Sequence, residues 1–190
     1  MKLSKTILAI VAAVAAAGFA CQQAQATQIT GMLNIAGTAT FNSTHLGKAT
    51  SVTSFDNVTV GGGNTDAFSG ILQGTSVAMA SSYIFTPSMG TPMLWSVGGF
   101  TFDLQSSSVS FQNNSFLAIT GSGTIFGPGF DPTPGLWAFT TQNAGGHPHA
   151  TFTFSANTEA VPTPDGGMTV ALLGAGLVGI AMFRAKFAKS

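Results

Sequence analysis

Charge is what this chain lacks most. Of its 190 residues only six are Lys or Arg and six are Asp or Glu. Between positions 27 and 160 the one basic residue, Lys48, stands against Asp56, Asp66, Asp103, Asp131 and Glu159, a net of minus four with histidine neutral. Nucleic-acid binders neutralise phosphates with clustered Lys and Arg. One lysine builds no such patch, so nucleic acid is not expected as a partner. Cysteine is nearly absent as well: Cys21 is the only one, and the chain beyond it holds neither a disulfide nor thiolate chemistry. Apolar residues at helical spacing over three turns are missing from 27–160, which leaves helix a minor component there. Catalytic signatures are thin too. The same span offers five acids and three histidines, none clustered, and no G-x-S-x-G elbow. Neither enzyme activity nor a cofactor is expected.

What is present begins with two apolar ends. Lys2 and Lys5 precede an uncharged stretch over 7–20, and Ala24-Gln25-Ala26 supplies small residues where a signal peptidase reads. These are the parts of a secretory leader over 1–26, cut after Ala26. The competing reading is lipoprotein processing at Cys21, but Gly18-Phe19-Ala20 lacks the branched apolar residue expected three positions earlier. At the other end, sixteen residues over 168–183 carry no charge and are followed by Arg184, Lys186 and Lys189 within the tail 184–190. As a helix the sixteen span ~24 Å, a little short of a ~30 Å hydrocarbon core. Snorkelling lysine and arginine cover the difference. Basic flanks stay on the cytoplasmic side, which puts 27–160 outside, in agreement with the leader.

The residues leading into this span are Val161-Pro162-Thr163-Pro164-Asp165-Gly166-Gly167, followed by Met168-Thr169-Val170-Ala171-Leu172-Leu173-Gly174. Motif, apolar span and basic tail in this order resemble the PEP-CTERM sorting signal, in its Val-Pro-Asp-Gly-Gly form, over about the last 30 residues. The resemblance implies a bacterial surface or extracellular-matrix protein whose tail is read by a membrane-embedded exosortase that cleaves near the motif. It also implies an association with exopolysaccharide. The alternative for the same residues is a plain C-terminal anchor on a proline-stiffened linker.

Gly174-Ala175-Gly176-Leu177-Val178-Gly179 matches the dinucleotide-binding G-x-G-x-x-G pattern by letter only. That fingerprint needs a strand before it and an acid about 20 residues after it, and the sequence stops too soon. Ala171, Ala175 and Gly179 instead repeat every four residues, a small-residue face that lets another membrane helix approach.

Alternation with period two dominates the middle of the chain. Ile29, Leu33, Ile35, Ala39 and Phe41 share one face, and Thr30, Asn34, Thr38 and Thr40 the other. Further strands are expected over 51–60, 75–85, 94–104, 107–112, 116–126, 136–141 and 150–156. Seven or eight strands divided by Gly, Asn and Pro clusters predict an all-β domain over 27–160, a single antiparallel sandwich or barrel-like unit. Its polar face is Thr, Ser, Asn and Gln rather than Lys and Glu, hence neutral and rich in hydroxyls.

Several motifs in this domain carry a chemical reading beside a structural one. Residues 61–69 nearly fit a calcium-binding nonapeptide, but one copy builds no site, and a flexible turn is the expectation. His147-Pro148-His149 offers two imidazoles where zinc wants three or four ligands, with only His45 left to add, so no metal site is expected. Residues 130–135 read as a rigid proline turn. Trp95, Trp137 and Tyr83 are the candidates for stacking on sugar rings, as in a carbohydrate-binding module, although tryptophan in an alternating strand more often serves the core. A secreted hydrolase would need acids such as Asp56 and Asp103 to converge.

Overall fold

The computed structural model describes residues 27–142, 151–161 and Gly174. Residues 1–26, expected as a leader, residues 143–150 with His147 and His149, and the residues beyond Val161 apart from Gly174 lie outside the described residues.

Alternation becomes strand through most of the chain. The long strands are β2 (Met32–Phe41), β3 (Ser51–Val60), β6 (Thr91–Val97), β7 (Phe100–Gln112), β8 (Phe116–Phe126), β10 (Thr133–Gln142) and β11 (Thr151–Ala160). Four two-residue strands accompany them: β1 (Thr27–Gln28), β4 (Ala78–Met79), β5 (Tyr83–Ile84) and β9 (Phe130–Asp131). Among the described residues, 3₁₀ turns at Leu46–Lys48 and Asp66–Phe68 are the other regular elements. The described domain is all-β, as the periodicity predicts.

One antiparallel sheet runs β4-β6-β7-β8-β10-β11-β2-β3-β5. Successive long strands pair from β6 to β11, with β9 set apart beside β1, and β11 then pairs with β2, joining the last long strand to the first. The sheet curls strongly. Residues 74–80 hydrogen-bond β3 on one side, through Val60 N to Thr75 O at 2.9 Å and Val77 N to Val58 O at 2.9 Å. On the other side they meet β6, through the Ala78–Ser96 and Met79–Trp95 pairs and Ala80 N to Leu94 O at 3.0 Å. This segment therefore bridges the two ends of the sheet and covers edges that would otherwise invite other strands.

Inward positions make one core. Leu33, Ile35, Ala39 and Phe41 of β2 are all buried, as is Ile29 before the strand. Along β6, β7 and β10 the inner face carries large aromatic rings, while β8 contributes Leu117, Ile119, Ile125 and glycines. Trp95 stacks on Phe102 at 5.9 Å, Phe102 on Trp137 at 6.3 Å, and Trp137 on Phe139 at 6.2 Å. Phe102 and Trp137 lie on strands separated by β8, and they meet because β8 has Gly123 between them. A Cβ there would sit 2.7 Å from the Phe102 ring and also against the Asp103 carbonyl. Glycine in this strand is thus a packing requirement. Trp95 also donates its indole N–H to Thr158 Oγ1 at 2.8 Å, a buried bond from β6 to β11 across the interior.

Four local expectations are corrected. Residues 94–104 are two strands: Gly98 and Gly99, both at positive φ, turn the chain between β6 and β7, as a two-residue hairpin needs. Residues 75–85 hold two short strands instead of one long one. Residues 61–69 are not a flexible turn but a hydrogen-bonded cover lying along 30–34. Asn34 N donates to Asn64 Oδ1, Asn34 Nδ2 to the carbonyls of Gly62 and Gly63, Thr65 N to Met32 O and Ala67 N to Thr30 O. Phe68 from this cover is fully buried against Phe100, 4.9 Å away, and Trp95. The proline turn at 130–135 lies earlier than expected: Gly129 turns at positive φ, Phe130–Asp131 pairs in parallel with Thr27–Gln28, and Thr133 already begins β10.

Candidate functional site

The most built feature of the outer surface sits where β6 meets β7. Pairing steps from Thr91–Leu104 to Trp95–Phe102, so three residues of β6 face Asp103 alone. This bulge lets consecutive Leu94 and Trp95 both enter the core while Pro92 and Met93 turn outward. Met93 adopts φ 48°, a left-handed conformation rare for a residue with a long side chain, and its N–H donates to Asp103 Oδ1 at 2.8 Å. Such conformations cost on the order of 1–3 kcal/mol and gather at functional sites.

Beside the bulge runs a groove of about 360 Å³, lined by Gly90, Pro92, Asp103, Leu104, Gln105, Thr124 and Phe126. Outward-facing residues of β7 and β8 form its floor. Gln105 Nε2 donates to Thr124 Oγ1 at 3.1 Å, holding the amide flat on the sheet. Phe126 is 38% exposed, and Met89 and Met93 are more so. Among the described residues its lining has a single ionisable group, the Asp103 carboxylate. A smaller recess of about 230 Å³ lies over β8, β10 and β11, between Leu136, Asn157 and Glu159.

A second irregularity shapes the neighbouring interior. The β7–β8 register shifts between Leu104 and Ser106, leaving Gln105 and Ser106 both outward and turning Ser107 in. Ser107 then lies near Tyr83, also buried, and neither hydroxyl closes a hydrogen bond of good geometry. Burial pushes the Tyr83 phenol up to about 12, and the adjacent Ser107 hydroxyl draws it partly back.

Of the residues singled out in the sequence, Trp95, Trp137 and Tyr83 are fully or almost fully buried, so they offer no face to a sugar. Their rings serve the core because each occupies an inward position of its strand. Asp56 and Asp103 lie on β3 and β7, which are not neighbours in the sheet. Asp56 accepts from Ser54 Oγ, while Asp103 holds the Met93 bulge. His45 is exposed just before the first 3₁₀ turn. Among the described residues no group of three His, Cys, Asp or Glu is placed to hold a metal, and no helix is long and apolar enough to cross a membrane.

Val161 is the one described residue of the predicted sorting motif. Exposed, it follows β11 and donates its N–H to Pro134 O at 2.8 Å, next to the bond from Ala160 N to Gly31 O. Pro162, Pro164, Asp165, Gly166, Gly167, Arg184, Lys186 and Lys189 lie outside the described residues, as do Ala24 and Ala26. The groove residues Gln105, Thr124 and Phe126 were not singled out by sequence, because no local pattern shows that a bulge one strand away opens a groove over them. No protein-family profile matches the chain, and neither a curated protein nor a solved structure matches it.

Proposed function

We propose that this chain is an exported bacterial surface or matrix protein: residues 1–26 direct secretion, 161–190 sort it, and the curled β-sheet domain is the cargo. Signal peptidase is the partner at Ala24 and Ala26. An exosortase-type membrane protease is the partner at the motif Val161, Pro162, Pro164, Asp165, Gly166 and Gly167. The membrane receives 168–183, and Arg184, Lys186 and Lys189 hold the cytoplasmic side. The observation that carries this reading is the order motif, uncharged span, basic tail, starting at Val161. Support also comes from a domain with one lysine and a hydroxyl-rich surface, a composition suited to lying among uncharged surface polymers rather than on nucleic acid.

Membrane retention on this account needs the apolar span. A charge at a helix centre costs ~2.5–3.5 kcal/mol on insertion scales. Leu173→Asp or Leu177→Asp, expressed in the native host, releases the protein from the membrane fraction. Changing Pro164-Asp165-Gly166-Gly167 to alanines leaves the span apolar but removes the recognition motif, and that variant accumulates as an unprocessed membrane-bound precursor. If it matched the unaltered chain in size and location, the tail would be a simple anchor.

A further inference from the structure

We propose that the groove beside the Met93 bulge binds a neutral glycan, a chain of uncharged sugars lying along the outer face of β7 and β8. The inference stands apart from the sorting signal and rests on the surface alone.

Three observations converge there. The groove is held in shape: Met93 stays in its left-handed conformation with its N–H on Asp103 Oδ1, and Gln105 is tied to Thr124. Its lining joins an exposed aromatic ring, Phe126, to a carboxylate, an amide and a hydroxyl. Binding sites of this kind pair an apolar wall with a few fixed polar groups. A carboxylate has about four lone-pair positions, of which the Met93 N–H takes one, and the Gln105 amide has its carbonyl oxygen and second N–H beyond the Thr124 bond. Planar groups with such capacity suit vicinal hydroxyls, while the ring face of Phe126 suits the C–H face of a sugar.

Polar chemistry then continues down the sheet. Ser106 and Ser122 are hydroxyl to hydroxyl at 3.0 Å, and Ser110 and Thr120 at 3.2 Å, on the same two strands. From Phe126 to Thr120 this track runs ~20 Å, long enough for several sugar rings. Charge selects against the alternatives. Among the described residues no Lys or Arg lines the groove, so an anionic polymer finds no counter-charge there, and a lone carboxylate is too little for a cation. A second protein chain is disfavoured because the hydroxyl track gives it little apolar surface to bury.

The test uses the full chain purified in a sugar-free detergent and passed over immobilised dextran, laminarin, cellulose and agarose, with polygalacturonate as the acidic comparison. Retention on at least one neutral polymer is expected, weakened tenfold or more by Phe126→Ala and by Gln105→Ala. Thr53→Ala, exposed on β3 and away from β7 and β8 in the sheet, should bind like the unaltered chain. Circular dichroism of each variant checks that the exposed substitutions leave the fold intact. The proposal is overturned by failure to bind any of the four neutral polymers, by preference for polygalacturonate, or by binding indifferent to Phe126 and Gln105. Self-association abolished by Phe126→Ala would assign the groove to a second copy and overturn it equally. Because binding is read on purified protein, failure here leaves the sorting reading untouched, and mis-sorting in the host leaves this one untouched.

Discussion

The two faces of the sheet around β7, β8 and β10 differ sharply in chemistry. Inside, Phe102, Trp137 and Phe139 stack against one another over a glycine. Outside, Gln105, Ser106, Ser110, Thr120, Ser122 and Thr124 pair through side-chain hydrogen bonds in contact with water. The interior gains from burial and shape, at about 25 cal/mol per Å² of apolar area removed from water. The exterior gains little stability from its exchangeable hydrogen bonds and is therefore free to meet a ligand. Large aromatics mark the fold in this protein, and small neutral groups mark the surface.

Substitutions on the two faces sharpen that contrast. Trp137→Ala should give the largest loss, ~3–5 kcal/mol, since it opens a cavity in the middle of the stack. Urea unfolding measures it, and a loss below about 1 kcal/mol would show that the stack does not hold the domain. Gly123→Ala adds one methyl group yet should cost about 3 kcal/mol, at the upper end for overpacking, because the new atom meets both the Asp103 carbonyl and the Phe102 ring. Crystal or solution data showing Phe102 unmoved and stability unchanged would contradict the role given to this glycine.

Tyr83 gives the third test, through pH. Its phenol is raised from 10.0 to about 12. Below pH 10 both folded and unfolded chains keep the proton, so the group adds no pH dependence. Between about 10 and 12 the unfolded chain loses the proton while the folded chain keeps it, and stability falls by roughly 2–3 kcal/mol. Tyr83→Phe should remove that fall, and should not destabilise at neutral pH because it deletes a buried hydroxyl without a good partner. As Tyr83 is the only tyrosine, phenolate absorbance during an alkaline titration reads it alone. A midpoint near 10 in the folded protein would refute its burial. The smallest effect belongs to the outer face: Ser122→Ala should change stability by less than ~0.5 kcal/mol, seen in the same urea experiment as Trp137→Ala.

Much of this fold was legible in alternation. The spans 51–60 and 116–126 match β3 and β8, and the face of β2 bearing Leu33, Ile35, Ala39 and Phe41 is the buried one. Legibility stopped where geometry departs from period two. Apolar residues on both sides of Gly98-Gly99 read as one span, although the alternation changes phase there, from Trp95 and Val97 to Phe100, Phe102 and Leu104. Bulges at Leu94 and at Gln105–Ser106 put neighbours on the same side, which no alternation rule reads. The cover at 61–69 resembled a loose glycine turn because the groups that order it, the Asn34 and Asn64 amides, replace strand hydrogen bonds with side-chain ones. The groove was invisible for the same reason: Asp103, Thr124 and Phe126 meet only through register. The tryptophans suggested sugar stacking by type, and their inward positions reassigned them to the core.

The central claim is that the two ends are addresses and the β domain is what is delivered. Intact-mass measurement of the protein recovered from the surface of its native host tests both ends at once. The account predicts a chain that begins at Thr27 and ends close to the motif at 161–167, without residues 168–190. A surface form that keeps 168–190, or one that begins at a lipid-modified Cys21, would contradict it.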